Sequence, residues 1–225
     1  MRNDVIKFGE DVAGYSIPVL NEREIRAAAG IMFLVLLISL MLILFKQDFL
    51  LVKYVIVVFL TDFIIRVFIS PRFSPVLIIG RLVVSRQVPE YVGAPQKKFA
   101  WQIGIALSAL MFFLLVVLNS YSIITGVTCT VCLIFLFCES AFGICLGCLV
   151  YGWFHKEEAQ HCTGDTCKVK TKQTIQKTSW AQVLVVLGTI LYILLAIMFF
   201  NDQFRVAPKN LKDVINSLQV VARGK

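Results

Sequence analysis

Long runs of apolar residues, separated by shorter polar segments, dominate the chain. Five of these runs have the length and composition of transmembrane helices, which need about 18 or more near-continuous apolar residues. They extend from about Ala27 to Phe45, Phe49 to Ile69, Phe99 to Leu118, Ser122 to Trp153 and Ala181 to Phe200. Because backbone groups in lipid need partners within their own segment, we expect these runs to be helical. The pattern predicts an all-α fold, a polytopic membrane helix bundle.

Two further segments have helical patterns but are too short or too polar to cross a membrane. Residues 76–88, with the sequence VLIIGRLVVSRQV, are predicted to form an interfacial helix in which Arg81 and Arg86 reach for lipid headgroups. Residues 201–225 are predicted to form an amphipathic tail. Its apolar residues at helical spacing are Leu211, Val214, Ile215, Leu218 and Val221.

These patterns divide the chain into five parts. The divisions are a cytoplasmic N-terminal segment (1–24), a four-helix membrane unit (25–153), a basic loop that contains cysteines (154–180), a fifth transmembrane helix (181–200) and the amphipathic tail (201–225).

Composition agrees with a membrane protein, since 58% of the 225 residues are hydrophobic and only 16% are charged. The net charge of +8 comes largely from the connection between the second and third predicted spans and the connection between the fourth and fifth. Cytoplasmic loops of membrane proteins are enriched in Lys and Arg. The basic residues of these connections are Arg72, Arg81, Arg86, Lys97 and Lys98, then Lys156, Lys168, Lys170, Lys172 and Lys177. We therefore expect a cytoplasmic N-terminus and contact with the lipid bilayer, and no nucleic-acid partner.

Four motifs, in this order along the chain, are similar to those of a known family. They are Asp62-x-x-x-Arg66 followed by Pro71 to Pro75, then Gly93 to Ala100, then Glu139 to Tyr151 with its internal cysteine pair. From about Val19 to Trp153 the chain resembles a bacterial membrane family catalogued only as domain of unknown function 4395 (DUF4395). The resemblance implies a four-helix unit in a bacterial inner membrane, and a thioredoxin-like or rhodanese-like sulfur protein as partner. It assigns no reaction.

All seven cysteines lie between Cys129 and Cys167. Cys145 and Cys148 are three apart, so on a helix they share a face, and an exchange site needs an attacking and a resolving thiol within reach. Packing is the alternative interpretation. Gly143 and Gly147 form a small-xxx-small pattern, which lets helices approach closely in membranes. Both interpretations stay open at this point.

Cys162 and Cys167 follow in the basic loop. With Cys145 and Cys148 they supply four thiolates, which can close a tetrahedral zinc site or hold an iron–sulfur cluster. Alternatively, Cys162 and Cys167 form a second thiol pair that exchanges with the first pair. The sequence therefore requires no cofactor.

Several charged residues lie within the predicted spans, where such groups are candidates for function. Asp62 and Arg66 are four apart with the acid first, which favours an intramembrane ion pair and a structural clamp. Glu139 lacks a basic neighbour on its own helix. We expect it to be protonated, bonded to another helix, or paired with Lys53 or Arg66, and it is the candidate proton acceptor for the thiol pair.

The function these residues favour is thiol/disulfide or sulfur-transfer chemistry at the cytoplasmic side, with Cys145, Cys148 and Glu139 as candidate catalytic residues. Two alternatives are a non-catalytic subunit of a membrane complex and a membrane protein that binds metal through cysteines. No phosphate-binding glycine loop, His-Glu-x-x-His motif or nucleophile elbow occurs in the sequence. The sequence therefore leaves open whether the protein is an enzyme.

Overall fold

The computed structural model describes residues 8–12, 17–155, 179–211, 213 and 215, and it confirms the all-α fold class. Two pairs of short strands lie at the ends of the helices. In chain order the elements are β1 (Val19–Asn21), α1 (Glu22–Lys46), α2 (Leu50–Ile64), α3 (Pro75–Val83), β2 (Tyr91–Gly93), α4 (Ala94–Phe112), β3 (Ser120–Tyr121), α5 (Ile123–Phe137), α6 (Leu146–His155), α7 (Trp180–Arg205) and β4 (Lys209–Asn210). Helices α2, α4 and α5 each continue into a π-helical turn, at Ile65–Ile69, Phe113–Val117 and Cys138–Phe142.

Four helical segments of the described chain are long and apolar enough to cross a membrane. They are Glu22–Lys46, Ala94–Val117, Ile123–Phe142 and Trp180–Arg205, and they make this a polytopic membrane protein. The predicted second span has a similar length, because α2 and its π turn cover 20 residues, but it carries Lys53, Asp62 and Arg66. All three are buried within the protein. Because the second span carries these three charged residues, the count of five spans stays a prediction.

Two apolar cores fill the bundle, one toward each end. The first joins the N-terminal half of α1 to α3 and α4, with Met32, Leu77 and Trp101 among its buried residues. The second joins the C-terminal half of α1 to α2 and to the ends of α4 and α5, and includes Leu36 and Met111. Between them these cores fix α1, α2, α4 and α5 against one another.

The end of the bundle that carries β1 and β2 is called the ribbon end here. These strands pair antiparallel, with Val19 opposite Gly93. Helix α3 lies directly on α1, and its Gly80 is so close to the Glu24 carbonyl that a Cβ would lie 2.6 Å from that oxygen. The prediction that Arg81 reaches for a headgroup is wrong. Arg81 is buried, and its Nε lies 3.2 Å from Glu24 Oε2, because α3 packs on protein along that face.

The predicted fourth span is not one continuous helix. Its helix ends at Gly143, and a separate helix, α6, begins at Leu146 and packs against the first turns of α4. The contact is close, because a Cβ at Gly147 would lie 2.6 Å from the Cβ of Ala100. The cysteine pair therefore lies at a break in the chain at the ribbon end.

The opposite end of the bundle, called the far end, holds the C-terminus of α7. Strands β3 and β4 pair in parallel there, with Ser120 opposite Lys209. The predicted fifth transmembrane helix, at 181–200, corresponds to α7, which extends to Arg205 and so includes the first residues of the predicted tail. Of the apolar positions of the predicted amphipathic tail, Val214, Leu218 and Val221 lie outside the described residues.

Candidate functional site

The break before α6 determines where the two thiols lie. Gly143 has a φ of 68°, in the left-handed region that suits glycine at the end of a helix. The backbone N–H of Ile144 donates to the Cys138 carbonyl oxygen at 3.1 Å and closes that end. Cys145 then directly precedes the first residue of α6. This places it at a helix N-terminus, where backbone N–H groups favour negative charge.

The two sulfurs of the pair are in direct contact. Cys145 Sγ and Cys148 Sγ lie 2.6 Å apart, and the backbone N–H of Cys148 donates to Cys145 Sγ at 3.3 Å. Both cysteines are buried free thiols in this structure. A dithiol within one helical turn has the arrangement that intramolecular disulfide formation requires.

An ion pair with a buried cation and a partly buried carboxylate lies beside the thiols. Lys97, in the first turn of α4, donates through Nζ to Glu139 Oε1 in the π turn after α5. The expectation that Glu139 bonds to another helix is confirmed. Its expected partners Lys53 and Arg66 are wrong, because the packing of α4 against α5 brings Lys97 to this carboxylate. Lys97 also lies within electrostatic range of both cysteines. A cation, a carboxylate and two thiols thus share one buried site.

The electrostatics of the pair follow from these contacts. The hydrogen bond between the sulfurs raises the pKa of Cys145 and lowers the pKa of Cys148, so the pair releases its first proton readily and retains the second. The charge of Lys97 lowers both pKa values, whereas Glu139 raises them. Lys97 therefore favours the thiolate, which is the reactive form of a cysteine.

Asp62 and Arg66 form the expected ion pair on one helix. Arg66 Nη2 lies 2.6 Å from Asp62 Oδ2, and both side chains are buried. Asp62 Oδ1 also accepts hydrogen bonds from the Ser74 hydroxyl at 2.7 Å and from the Val76 backbone N–H at 3.0 Å. The carboxylate therefore accepts hydrogen bonds from groups at the start of α3 as well as from the guanidinium. This arrangement fits a structural clamp.

A comparison with protein families gives one match. The model for domain of unknown function DUF4395 matches residues 20–156, which is more than half of the chain. The chain belongs to the DUF4395 family. The resemblance seen in the sequence is thereby confirmed, and the matched range contains the thiol pair, Lys97 and Glu139. Comparison with curated proteins found no match, and neither did comparison with solved structures.

The two glycines of the predicted packing pattern have different roles in this DUF4395 protein. Gly147 lies at the close contact with Ala100, as a packing residue would. The prediction that Gly143 shares that packing face is wrong, because it ends the preceding helix with a positive φ. A Cβ at Gly143 would also lie 3.3 Å from the Arg26 guanidinium.

The remaining cysteine predictions fall partly outside the described residues. Cys162 and Cys167 lie there, so the structure does not place the second thiol pair or the zinc or iron–sulfur site they would complete. Within the described part of the chain, no group of three or more Cys, His, Asp or Glu side chains is arranged to hold a metal ion. Cys129 lies in the core at the far end, where it packs as an apolar residue.

Lys97 is the site residue that the sequence did not reveal. It is followed by Lys98 at the start of a predicted span, a position typical of a lysine at the membrane surface. The structure separates the two. Lys98 is exposed, with its Nζ 5.2 Å from the centre of the Phe8 ring, whereas Lys97 faces inward. The only hint in the sequence was that Glu139 needed a cation from another helix.

Proposed function

We propose that this DUF4395 protein carries out thiol/disulfide exchange through Cys145 and Cys148. The observation that supports the proposal is the contact of two free sulfurs, 2.6 Å apart, at the start of α6 beside the Lys97 ammonium. A thiol that acts only as a packing residue needs neither a second sulfur in contact nor a buried cation within range.

The exchange requires a partner that carries a disulfide. The thiolate of the pair attacks one partner sulfur, a mixed disulfide forms, and the other partner sulfur leaves as a thiolate that takes up a proton. The second thiol of the pair loses its proton and attacks the mixed disulfide. An S–S bond then joins Cys145 to Cys148, and the partner leaves with both thiols reduced. Two electrons have passed to the partner, and the reverse sequence reduces the pair.

Lys97 and Glu139 have complementary roles in this scheme. Lys97 stabilises the thiolate, and Glu139, held by Lys97, is the candidate acceptor for the proton that leaves the second thiol.

We further propose a location and a partner class. The two long basic connections leave from the ribbon end, and the positive-inside rule then places that end and the N-terminus in the cytoplasm of a bacterial cell, at the inner membrane. A thioredoxin-like protein can supply the disulfide or the dithiol there. A rhodanese-like partner would instead pass a sulfane sulfur to the thiolate, which leaves a persulfide on the pair and a thiolate on the partner.

The test uses a variant in which the other five cysteines are alanine. In membrane vesicles of known orientation, a membrane-impermeant thiol reagent should modify the reduced pair only from the cytoplasmic side. An oxidised thioredoxin should convert the pair to a disulfide, detected by mass spectrometry after alkylation. With Cys148→Ser or Cys145→Ser, the surviving thiol should trap the partner as a mixed disulfide.

The double variant Cys145→Ala, Cys148→Ala is the control and should trap nothing. If neither single variant forms a mixed disulfide with thioredoxin or takes a sulfane sulfur, and the double variant is as stable as the parent, the pair is a packing element and the proposal is wrong. Modification only from the opposite side would reverse the assigned orientation.

A further inference from the structure

Helix α7 leaves a large cavity beside the bundle at the far end. Of the residues Trp180–Arg205, all of which the structure describes, only Gln182 and Phe204 are buried, and they lie near the two ends of the helix. A cavity of about 570 Å³ lies among the C-terminal half of α7, α2 and the end of α4. Binding sites for small ligands have volumes of about 300–1,000 Å³, so this cavity has room for one.

The wall of this cavity is apolar along most of its length and polar at one end. Lys53 and Asn119 form the polar end, at the level of the last turn of α7. The lining residues of α7 extend from Tyr192 to Phe204, a distance of about 18 Å at 1.5 Å per residue. This length is about half of a hydrocarbon core of about 30 Å, so it corresponds to the acyl chain of a lipid in one leaflet. The apolar part of the wall includes Val57, Phe112, Val116, Leu195, Phe199 and Phe200.

The charge of Lys53 is not matched by a carboxylate. Among the described residues, no carboxylate forms a salt bridge with its Nζ, and Lys53 is the only charged residue of those that line the cavity. The ammonium donates to Asn119 Oδ1 and to the carbonyls of Phe204 and Val206, which are all neutral oxygens. Its hydrogen bonds are therefore complete, but the carbonyls at the end of a helix supply only a partial negative charge. An anion in the cavity would supply the rest.

We propose that this cavity binds an anionic phospholipid, with an acyl chain along α7 and the phosphate beside Lys53. Basic pockets between transmembrane helices bind acidic headgroups in this way. Asn119 assists, because its amide has two N–H groups and its bond to the Ala207 carbonyl, at 3.4 Å, uses only one of them. A zwitterionic lipid brings its own cation and so compensates less of the lysine charge. The inference is independent of the thiol chemistry, which lies at the ribbon end.

The experiment compares two lipids that have the same acyl chains. The full-length protein in a nonionic detergent is titrated with phosphatidylglycerol, which is anionic, or with phosphatidylethanolamine, which is zwitterionic. Native mass spectrometry measures the fraction of protein that carries one lipid. We expect the Kd for phosphatidylglycerol to be lower by about fivefold or more, since one lysine near the headgroup favours the anionic lipid by about this factor.

Asn119→Asp tests the role of charge without a change of shape. The new carboxylate takes the place of the amide oxygen beside Lys53, and both asparagine and aspartate tolerate the positive φ of 45° at this position. Because the ammonium then has a carboxylate partner, the preference for phosphatidylglycerol should disappear. Gln47→Glu adds the same charge at an exposed position of the far end that does not line the cavity. This matched control should keep the preference.

Filling variants test whether the chain lies in the cavity. Ala196 lines it, and Ala196→Trp should raise the Kd of both lipids about tenfold or more, since the indole occupies the space of the chain. Ala181→Trp, at an exposed position of the same helix, is the matched control and should leave both Kd values unchanged. Should Ala196→Trp fail to fold, Val116→Phe fills the cavity from the end of α4, and Val117→Phe at the exposed neighbouring position is its control.

The outcomes decide the proposal. Equal Kd values of the parent for the two lipids would overturn it, and so would a preference for phosphatidylglycerol that survives in Asn119→Asp. Loss of the preference in Gln47→Glu as well would show that the lipid responds to the surface charge of the far end and not to Lys53. If the filling variants bind phosphatidylglycerol as tightly as the parent, the lipid lies elsewhere on the protein and the assigned cavity is wrong.

Discussion

Two buried lysines, one at each end of the bundle, solve the same physical problem differently. Lys97 and Lys53 are each only 1% exposed, and a buried ammonium must be stabilised by its surroundings. At the ribbon end Lys97 pairs with the carboxylate of Glu139. At the far end Lys53 donates to neutral oxygens, at 2.7 Å to Asn119 Oδ1, 2.8 Å to the Val206 carbonyl and 3.2 Å to the Phe204 carbonyl.

The difference shows what each lysine does. The carbonyls around Lys53 belong to the C-terminal end of α7, where the helix dipole is negative, so this lysine fastens α7 to α2 and to the turn at Asn119. Lys97 pairs with a side-chain carboxylate instead of with helix-terminal carbonyls. Its charge acts on a carboxylate and on two thiols, so its removal should change the chemistry as well as the stability of the protein.

The largest expected effect comes from breaking the Lys97–Glu139 pair. Lys97→Met leaves the carboxylate in a buried site without its cation, and the free energy of unfolding should fall by about 3 kcal/mol or more. Thermal unfolding in detergent measures this loss. The double variant Lys97→Met, Glu139→Gln should recover much of the stability, and a double variant as unstable as the single one would contradict the assigned pairing.

Lys53→Met should have a smaller effect on stability and none on thiol reactivity. The Asn119 side chain and the two carbonyls at the end of α7 lose a charged donor, and we expect a loss of about 2 kcal/mol, a typical contribution of hydrogen bonds to a charged group. Thermal unfolding gives the loss, and the rate of exchange with thioredoxin should match that of the parent. Lys46→Met, at an exposed position of α1, is the control and should change neither quantity. If Lys53→Met exchanged with thioredoxin more slowly than the parent, the conclusion that only Lys97 acts on the thiols would be wrong.

The smallest effect, and the most specific one, is a shift in the pH profile of thiol alkylation. The alkylation rate of the pair falls as the pH falls through its first pKa, because the thiolate is lost. Since Lys97 lowers the pKa of both cysteines and Glu139 raises it, Lys97→Met should move the profile to higher pH and Glu139→Gln to lower pH. Shifts of about one pH unit correspond to about 1.4 kcal/mol. Shifts in the same direction would show that the charges do not act on the thiols.

Some of this architecture could be predicted because it depends on local sequence. The apolar runs predict helices wherever they occur, since lipid leaves the backbone no other partners. The Asp62–Arg66 pair was also predictable, because both residues lie on one helix and a spacing of four brings their side chains together. Family membership likewise follows from motifs that are contiguous in the chain.

The sequence by itself thus determined most of the helices, their membrane character and the pairs made within a single helix, but not the break at Gly143. Only the tertiary structure decided which residues from different helices meet. Glu139 and Lys97 are far apart in the chain, and their contact depends on how α4 and α5 are rotated against each other. The same holds for Arg81, which finds Glu24 instead of lipid. Hydrophobicity is a property of each residue alone and specifies that a side chain is buried, whereas its partner depends on the packing of whole helices.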